Sequence, residues 1–241
     1  LAFLKERAKL MIQNTGMDEI TLSSLSSSDY KELPELVYYL IEEFREQKIN
    51  ISLPSLRIDA FALDVMSKVQ DIRKSSLTFA PEAGSQRMRN VINKGLTEEN
   101  ILQGASDAFA AGWNRVKLYF MLGLPGETKQ DIGEIAELGN KIAECYYKLP
   151  KQVRRGKPEI VISTSFFVPK PFTPFQWVPM NAMEEFLQKQ RIVSARLKEM
   201  RNGRSIRYNW HDADTTLMEG IFARGDRRLS KSILDAYRAG C

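Results

Sequence analysis

The chain has little of the residue types from which most metal and nucleophilic sites are built. Its 241 residues include one histidine, His211, and two cysteines, Cys145 and Cys241, which lie far apart in sequence. One histidine excludes a histidine-rich metal site and makes a histidine-centred triad on the main part of the chain untenable. Two distant cysteines exclude a disulfide framework and give no metal-site spacing. This cysteine usage favours a reducing, cytoplasmic setting.

Phosphate-binding glycine motifs and long apolar runs are missing as well. Neither a Walker A sequence nor G-x-G-x-x-G occurs in the chain, and these are the common phosphate-binding signatures. The apolar runs are much shorter than the roughly 20 residues that cross a bilayer, so we expect no transmembrane helix and no membrane partner. A net charge of +5 is mild and does not by itself indicate nucleic-acid binding. Chemistry on this scaffold would therefore need a bound cofactor.

Short β-rich runs alternate with helical patterns along most of the chain. The predicted strands are 19–25, 49–56, 76–80, 116–122 and 159–168, and the predicted helices are 1–14, 30–47, 60–69, 85–92, 97–111 and 128–149. Strands that alternate with helices predict right-handed βαβ units and a parallel sheet. We expect an α/β fold of the partial-barrel type, with its functional face at the carboxyl ends of the strands.

The pattern changes after residue 168. Residues 169–175 contain three prolines and cannot form a central strand. A long helix over 183–201, a short strand over 205–208 and helices near 215–223 and 230–239 are predicted to follow. We therefore divide the chain into a barrel core, residues 1–178, and a small C-terminal α/β appendage, residues 179–241.

Polar residues follow the predicted strands at their carboxyl ends. Ser24 and Ser26 follow the first strand, where serine hydroxyls either donate to a ligand carboxylate or serve a helix N-terminus. Arg57 and Asp59 follow the second and either hold a ligand carboxylate or brace the barrel rim. Glu82 follows the third strand and is placed for ribose hydroxyls or an amino group. Its alternative role is to stabilise a helix amino terminus.

A glycine-proline turn follows the fourth predicted strand. Gly123 and Gly126 leave no side chain to block a flat ligand, and Pro125 stiffens the turn. Thr128 is well placed to cap the next helix. An ordinary βα-loop without a ligand has the same pattern, so the corner alone leaves both interpretations open.

Basic residues cluster near 148–157 and again along the tail. They form a solvated surface or, with aromatic residues for stacking, a nucleic-acid surface. The aromatic residues near them in sequence are Trp177, Tyr208 and Trp210. The tail arginines Arg224, Arg227 and Arg228 flank Asp226, which partly neutralises them. We interpret this stretch as a local structural or docking element.

Two motifs carry a family resemblance. The first spans residues 79–89, FAPEAGSQRMR, with INKG at 92–95, and the second spans residues 121–128, MLGLPGET. With both in this order and spacing, the chain resembles the radical S-adenosylmethionine (SAM) enzymes. It is most similar to the group with an amino-terminal cobalamin-binding domain, and methylthiotransferases are more distant relatives. The resemblance implies a partial (β/α)6 barrel in which the predicted strands are the second to the sixth.

The resemblance also implies cofactors that the chain itself is not equipped to hold. The family's first strand ends in a C-x-x-x-C-x-x-C loop, whose thiolates bind a [4Fe–4S] cluster that chelates SAM. No such loop occurs in this sequence, and the chain begins where the helix after that loop should be under way. We therefore expect a fragment of a longer protein, with the cluster and cobalamin bound through upstream residues.

The expected activity is that of the family. The full-length enzyme would generate a 5′-deoxyadenosyl radical that abstracts hydrogen from an unknown substrate, either an RNA or a small molecule. A flavodoxin or ferredoxin would supply the electron. The resemblance predicts no catalytic residue and no metal ligand within this chain.

The resemblance assigns contacts to individual residues. Glu82 contacts the amino-acid or ribose part of SAM, and Arg57 reaches its carboxylate. Gly123 and Leu124 present backbone to the adenine, and the backbone of Val168 brackets the same base. The family's Gly-Gly-Glu at the second strand is replaced here by the serine-rich loop that contains Ser24 and Ser26.

Two other classes of function compete with this interpretation. One is a non-catalytic nucleic-acid-binding or interaction module on a TIM-like barrel, which the basic clusters favour. The other is a metal-independent barrel that binds a sugar phosphate. The lack of a glycine-rich phosphate loop late in the sequence of the barrel argues against this second class. Three cysteines at the family spacing shortly before Leu1 would decide for the radical SAM enzyme.

We predict that the isolated chain holds no stoichiometric [4Fe–4S] cluster after anaerobic treatment with iron and sulfide. The reason is that Cys145 and Cys241 do not make a ligand set. The measurement is iron content together with the absorbance spectrum. About four irons per chain, as in the cluster of this family, would show that the missing loop is not needed.

Overall fold

Helices and parallel strands alternate in the described part of the chain. The computed structural model describes residues 1–24, 30–52 and 77–241. They divide into two compact units, which comprise Leu1–Phe79, Glu99–Lys117 and Glu144–Glu159, and Ala80–Glu98, Leu118–Ala143 and Ile160–Cys241. The described strands form one sheet of two strands and one of four, and within each sheet they lie side by side in chain order. The α/β class is confirmed, and the closure of these strands into a partial barrel stays a prediction.

The first unit begins with a small βα core. Its elements are α1 (Ala2–Thr15), β1 (Glu19–Thr21), α2 (Leu33–Glu43) and β2 (Asn50–Ser52). Gly16 ends α1 with a φ of 66°, the left-handed conformation that is typical of a glycine at a helix C-terminus. The two strands are parallel, with Ile20 opposite Ile51, and both isoleucines are buried in one cluster with Val37 and Leu40. The apolar stripe of α2 therefore faces the strands, as its helical spacing predicted.

Several predicted elements in this unit are longer than the observed ones. Helix α2 starts only at Leu33, where Pro34 suits the first turn because its missing N–H would have no partner there. It ends at Glu43, and Lys48, with a φ of 55°, then reverses the chain into β2. The end of the second predicted strand and the predicted helix over 60–69 lie outside the described residues.

The middle of the chain follows the predicted alternation closely. Its elements are β3 (Leu77–Glu82), α3 (Gln86–Val91), α4 (Glu98–Ala110), β4 (Arg115–Leu122), α5 (Lys129–Lys148) and β5 (Glu159–Phe166). Strand β4 alternates in burial, with Val116, Leu118, Phe120 and Leu122 inside, which is the period of a strand. Strand β3 runs two residues further than predicted, through Pro81 to Glu82.

The C-terminal part contributes a strand to the larger sheet. Its elements are α6 (Met183–Glu199), a 3₁₀ turn (Gly203–Ser205), β6 (Ile206–Trp210), α7 (Ala213–Arg224) and α8 (Leu229–Arg238). Strand β6 pairs in parallel with β5, from Ile160 opposite Ile206 to Thr164 opposite Trp210. The predicted strand is confirmed, and it joins the sheet of the predicted core. The division at residue 178 stays a prediction.

The tail arginines make contacts within the chain. Arg224 donates from Nη1 to the carbonyl oxygens of Pro169 and Gln176, at 3.0 and 2.7 Å. Arg228 pairs with Asp226, 2.9 Å from Nε to Oδ1. These contacts support the interpretation of this stretch as a local structural element. The two bonds of Arg224 also hold both ends of residues 169–176, a segment on which Phe172 is exposed.

None of the helices in the described ranges is long and apolar enough to cross a membrane.

Candidate functional site

The loops that follow three neighbouring strands meet in one buried cluster of the second unit. Ala83 and Met88 come from the segment after β3, Leu124 from the turn after β4, and Phe167 from the segment after β5. Four further apolar side chains pack against this cluster, namely Ile92, Met121, Phe175 and Val178. The polar residues of these loops are thereby held near one another at the ends of the strands.

Glu82 is placed in an unusual conformation at the end of β3. Its φ is 67°, in the left-handed region that non-glycine residues seldom occupy. Its half-buried carboxylate pairs with Lys94, 3.2 Å from Oε1 to Nζ. Asn93 and Gly95, on either side of Lys94, also have positive φ values, of 54° and 63°. Three left-handed residues therefore shape the backbone that brings this carboxylate and this ammonium together.

Arg89 holds the backbone around that pair. Its side chain is fully buried and donates from Nη1 to the carbonyl oxygens of Ala83 and Gly84, at 3.1 and 2.8 Å. Nε donates to the carbonyl oxygen of Leu96 at 3.1 Å, and Nη2 donates to Oε1 of Gln86 at 3.1 Å. One guanidinium thus ties the loop after Glu82 to the segment after Lys94.

The turn after β4 is held from within by Glu127. Gly123, with a φ of 92°, donates its backbone N–H to Oε2 of Glu127 at 2.9 Å. Lys189 of α6 donates to the same oxygen at 2.8 Å, and only 3% of the Glu127 side chain is exposed. Burial raises the pKa of Glu127, while the hydrogen bonds from Lys189 and Gly123 oppose that rise.

Gly123 is packed closely against Phe186 of helix α6 and against Asn181, which precedes that helix. A Cβ at this position would lie 2.6 Å from Oδ1 of Asn181 and 3.0 Å from Cε1 of Phe186. Phe186 in turn stacks on Phe166 at the end of β5, with 4.4 Å between ring centroids. Gly123 is therefore required both by its positive φ and by this close approach.

A buried carboxylate, Asp131, links the loops after β3 and β4. It accepts hydrogen bonds from Oγ of Ser85 at 2.5 Å and from Nε of Arg87 at 3.2 Å. It also accepts bonds from the backbone N–H and the Oγ1 of Thr128, at 2.8 and 2.6 Å. Burial by itself would raise the pKa of Asp131, but the bonds from Arg87, Ser85 and Thr128 outweigh it and hold the pKa well below its ordinary range.

The residues predicted to bind SAM are distributed as follows. Glu82, Gly123, Leu124 and Val168 all belong to the second unit, and the last three are buried. Ser24 is exposed and belongs to the first unit. Ser26 and Arg57 lie outside the described residues. The role of each toward SAM stays a prediction. The N–H of Gly123 is already engaged by Glu127, so its predicted contact with adenine would use other backbone atoms.

Sequence reasoning did not single out Lys94, Asp131 or Glu127 as site residues. Lys94 stands in the INKG stretch of the first motif, but its partner depends on the turn geometry around it. Asp131 stands three residues after Thr128, the spacing of a helix-capping pair, and Asp131 N–H does donate to Oγ1 of Thr128, at 3.3 Å. That spacing was the available signal, and it points to a cap without revealing the contacts to Ser85 and Arg87.

Comparison with known proteins identifies the family. The sequence model of the radical SAM superfamily matches residues 1–139, more than half of the chain. The chain belongs to the radical SAM superfamily. An uncharacterized protein of Methanocaldococcus jannaschii is 32% identical over 215 residues, which cover 89% of this chain and 43% of that relative. This radical SAM chain thus spans less than half the length of the curated relative that it matches.

The described residues of this radical SAM chain do not fit an iron–sulfur cluster. Within the described ranges, no group of three or more histidine, cysteine, aspartate or glutamate side chains is placed to hold a metal ion. Cys145 is half-buried on α5, where its Sγ lies 3.9 Å from the carbonyl oxygen of Leu102, and Cys241 is exposed. The cluster that the family uses would therefore have to be held by residues other than these.

Replacing Gly84 by alanine should destabilise the second unit. A Cβ there would lie 2.4 Å from the backbone nitrogen of Ile135 and 2.6 Å from the carbonyl oxygen of Asp131. Because backbone atoms cannot move aside cheaply, we expect a loss of about 1–3 kcal/mol or more in the free energy of unfolding, measured by urea denaturation.

The matched control is Gly133→Ala in α5, the helix against which Gly84 packs, because nothing lies within 4 Å of the carbon added at Gly133. This change should stabilise the protein by roughly 0.5–1 kcal/mol, since alanine favours a helix over glycine. Equal effects of the two substitutions would show that the loop after β3 does not rest on α5.

The bonds of Asp131 predict a specific dependence of stability on pH. Its folded pKa lies below the ordinary value, so its contribution is complete above about pH 5 and is lost progressively as the pH falls further. The difference in the free energy of unfolding between wild type and Asp131→Asn should therefore shrink on acidification from about pH 5 to pH 2. A difference that is constant over this range would contradict the prediction.

Proposed function

We propose that this chain is the SAM-binding core of a radical SAM enzyme, in which Glu82 and Lys94 hold the amino-acid end of SAM. The observation that carries the proposal is their ion pair, built on left-handed backbone at the end of β3. The methionine part of SAM carries one ammonium and one carboxylate. Glu82 complements the first and Lys94 the second, so their mutual ion pair would be exchanged for two ion pairs with the ligand.

The exposure of the pair and the strain of its backbone also favour this exchange over a purely structural role. Both side chains are about a third exposed, 27% for Glu82 and 32% for Lys94, so a ligand can reach them. A surface ion pair of this kind contributes about 0–1 kcal/mol to stability, which is not more than the cost of about 1–2 kcal/mol for left-handed backbone at Glu82. Strain that stability does not require is typical of ligand-binding positions.

The rest of the proposed site is apolar. Leu124 and Val168 are buried beside the strand ends and suit the flat adenine ring. The cluster of Ala83, Met88, Leu124 and Phe167 closes the floor of the loops against water. The part of this chain in catalysis would be to orient SAM and to exclude water from the reacting atoms.

The reactivity itself would come from the cofactors. In this family a reduced [4Fe–4S] cluster, bound by the cysteine loop, supplies the electron for cleavage of SAM to a 5′-deoxyadenosyl radical. A flavodoxin or ferredoxin as electron donor, an RNA or a small molecule as substrate, and cobalamin through an upstream domain stay predictions from the resemblance.

The alternative of a nucleic-acid-binding module gains no support from the tail. Arg224 and Arg228 are engaged within the chain. Of the aromatic residues considered for stacking, Tyr208 is half-buried and its hydroxyl lies 2.9 Å from Oγ1 of Thr164. Burial raises the pKa of Tyr208 to about 12, and the bond with Thr164 opposes that rise.

The test is SAM binding by the full-length protein carrying Glu82→Gln or Lys94→Gln. Each change removes one charge-assisted bond, about 1.5–3 kcal/mol, so the Kd for SAM measured by calorimetry should rise about 10- to 150-fold. Binding of 5′-deoxyadenosine, which lacks the amino-acid part, should not change.

The matched controls are Glu98→Gln and Lys141→Gln. These residues form another ion pair of the second unit, 2.5 Å from Oε1 to Nζ, with similarly half-exposed side chains. Neither control should alter SAM affinity. Unchanged SAM affinity in both Glu82→Gln and Lys94→Gln would mean that their ion pair only shapes the turn after α3.

A further inference from the structure

Asp131 contacts two of the loops that carry proposed SAM contacts. Through Ser85 and Arg87 it holds the segment that begins at Glu82, and through Thr128 it holds the turn that begins at Gly123. Only 4% of Asp131 is exposed, so these bonds form away from competing water. The two loops are separated in sequence by the whole of α4 and β4.

Arg87 adds a second link between the same loops. Its Nη2 donates to Oδ2 of Asp131 and also to the carbonyl oxygen of Gly126, the latter at 2.8 Å. Ser85 is shared in a similar way, because its Oγ donates to Asp131 and accepts the N–H of Met88 at the start of α3. Removal of the carboxylate would therefore loosen the cap of α3 and the turn after β4 at the same time.

The position of Glu82 depends on this link. Its backbone is left-handed, a conformation that persists only where the surroundings impose it. Gly84 lies directly against α5, because a Cβ there would come within 2.6 Å of the carbonyl oxygen of Asp131. On the other side of Gly84, Ser85 bonds to the Asp131 side chain. The residues after Glu82 are thus fastened to α5, in whose first turn Asp131 lies.

We infer that Asp131 is a positioning residue for SAM, acting through Ser85, Arg87 and Thr128 to hold Glu82 and the Gly123 turn in one geometry. Asp131 has no direct contact with SAM in this proposal, because its carboxylate is buried and is taken up by Ser85, Arg87 and Thr128. The inference rests on the proposed function of the Glu82–Lys94 pair. Asp131 would act by raising the fraction of molecules that have both loops in place, and the apparent Kd for SAM rises as that fraction falls.

The experiment compares full-length wild type with Asp131→Asn. The amide nitrogen of the asparagine would replace one carboxylate oxygen and face the donors that now bind it. The negative charge that pairs with Arg87 would also be lost. We expect hydrogen exchange without SAM to quicken in both segments, residues 81–89 and 123–131. The Kd for SAM should rise about tenfold if one molecule in ten keeps both loops in place, and the Kd for 5′-deoxyadenosine should rise with it.

A loss of both ligands separates this role from that of Glu82, whose substitution affects SAM alone. The matched control is Glu137→Gln on the same helix, where the carboxylate pairs with Arg196 at a half-exposed site; exchange and affinity should not change. Arg87→Gln, at a side chain that is 52% exposed, is the milder variant if Asp131→Asn does not fold. It should produce the same two effects to a smaller extent.

Faster exchange in residues 123–131 alone would overturn the inference, because Asp131 would then be no more than a helix cap. Wild-type affinity for SAM in Asp131→Asn and Arg87→Gln would also overturn it, while leaving the proposed function intact. Failure of the wild type to bind SAM would overturn both.

Discussion

The candidate site depends on one buried carboxylate. Asp131 is nearly inaccessible to water, and a buried charge is tolerated only when donors surround it. Those donors are Ser85 and Arg87, at the start of the helix after β3, and Thr128, at the end of the turn after β4. The hydrogen bonds that stabilise the buried carboxylate therefore also hold the segments after β3 and β4 together. The depressed pKa of Asp131 expresses how strongly these donors favour its ionised form.

The strained backbone at Glu82 is a consequence of this arrangement. Left-handed backbone costs a non-glycine residue about 1–2 kcal/mol, so the native structure keeps it only if neighbouring contacts leave no alternative. Arg89 binds the carbonyl oxygens of Ala83 and Gly84, and Ser85 binds Asp131. With the three following residues fastened, the orientation of Glu82 is set by its neighbours, and its carboxylate stays accessible to a ligand.

Much of the second unit was predictable because its signals are local. The Thr128 cap, the alternating burial of β4 and the helix starting at Ser85 each depend on residues a few positions apart. The candidate residues Glu82, Gly123, Leu124 and Val168 were found through motifs for the same reason. Lys94 was not found, because its pairing with Glu82 requires left-handed backbone at Asn93 and Gly95. An asparagine adopts that conformation only occasionally, so its presence in a sequence does not predict it.

The sequence alone determined the alternation of helices and strands, the absence of a cysteine ligand set and the motifs by which the radical SAM family is recognised. These depend on residue type and short spacing, which side-chain periodicity and capping translate directly into local structure. Only the tertiary structure decided which polar groups meet. Asp131 finds Ser85 46 residues away, and Glu127 finds Lys189 62 residues away. Such partners are selected by the packing of whole elements and by the need to satisfy buried charge, and neither leaves a pattern along the chain.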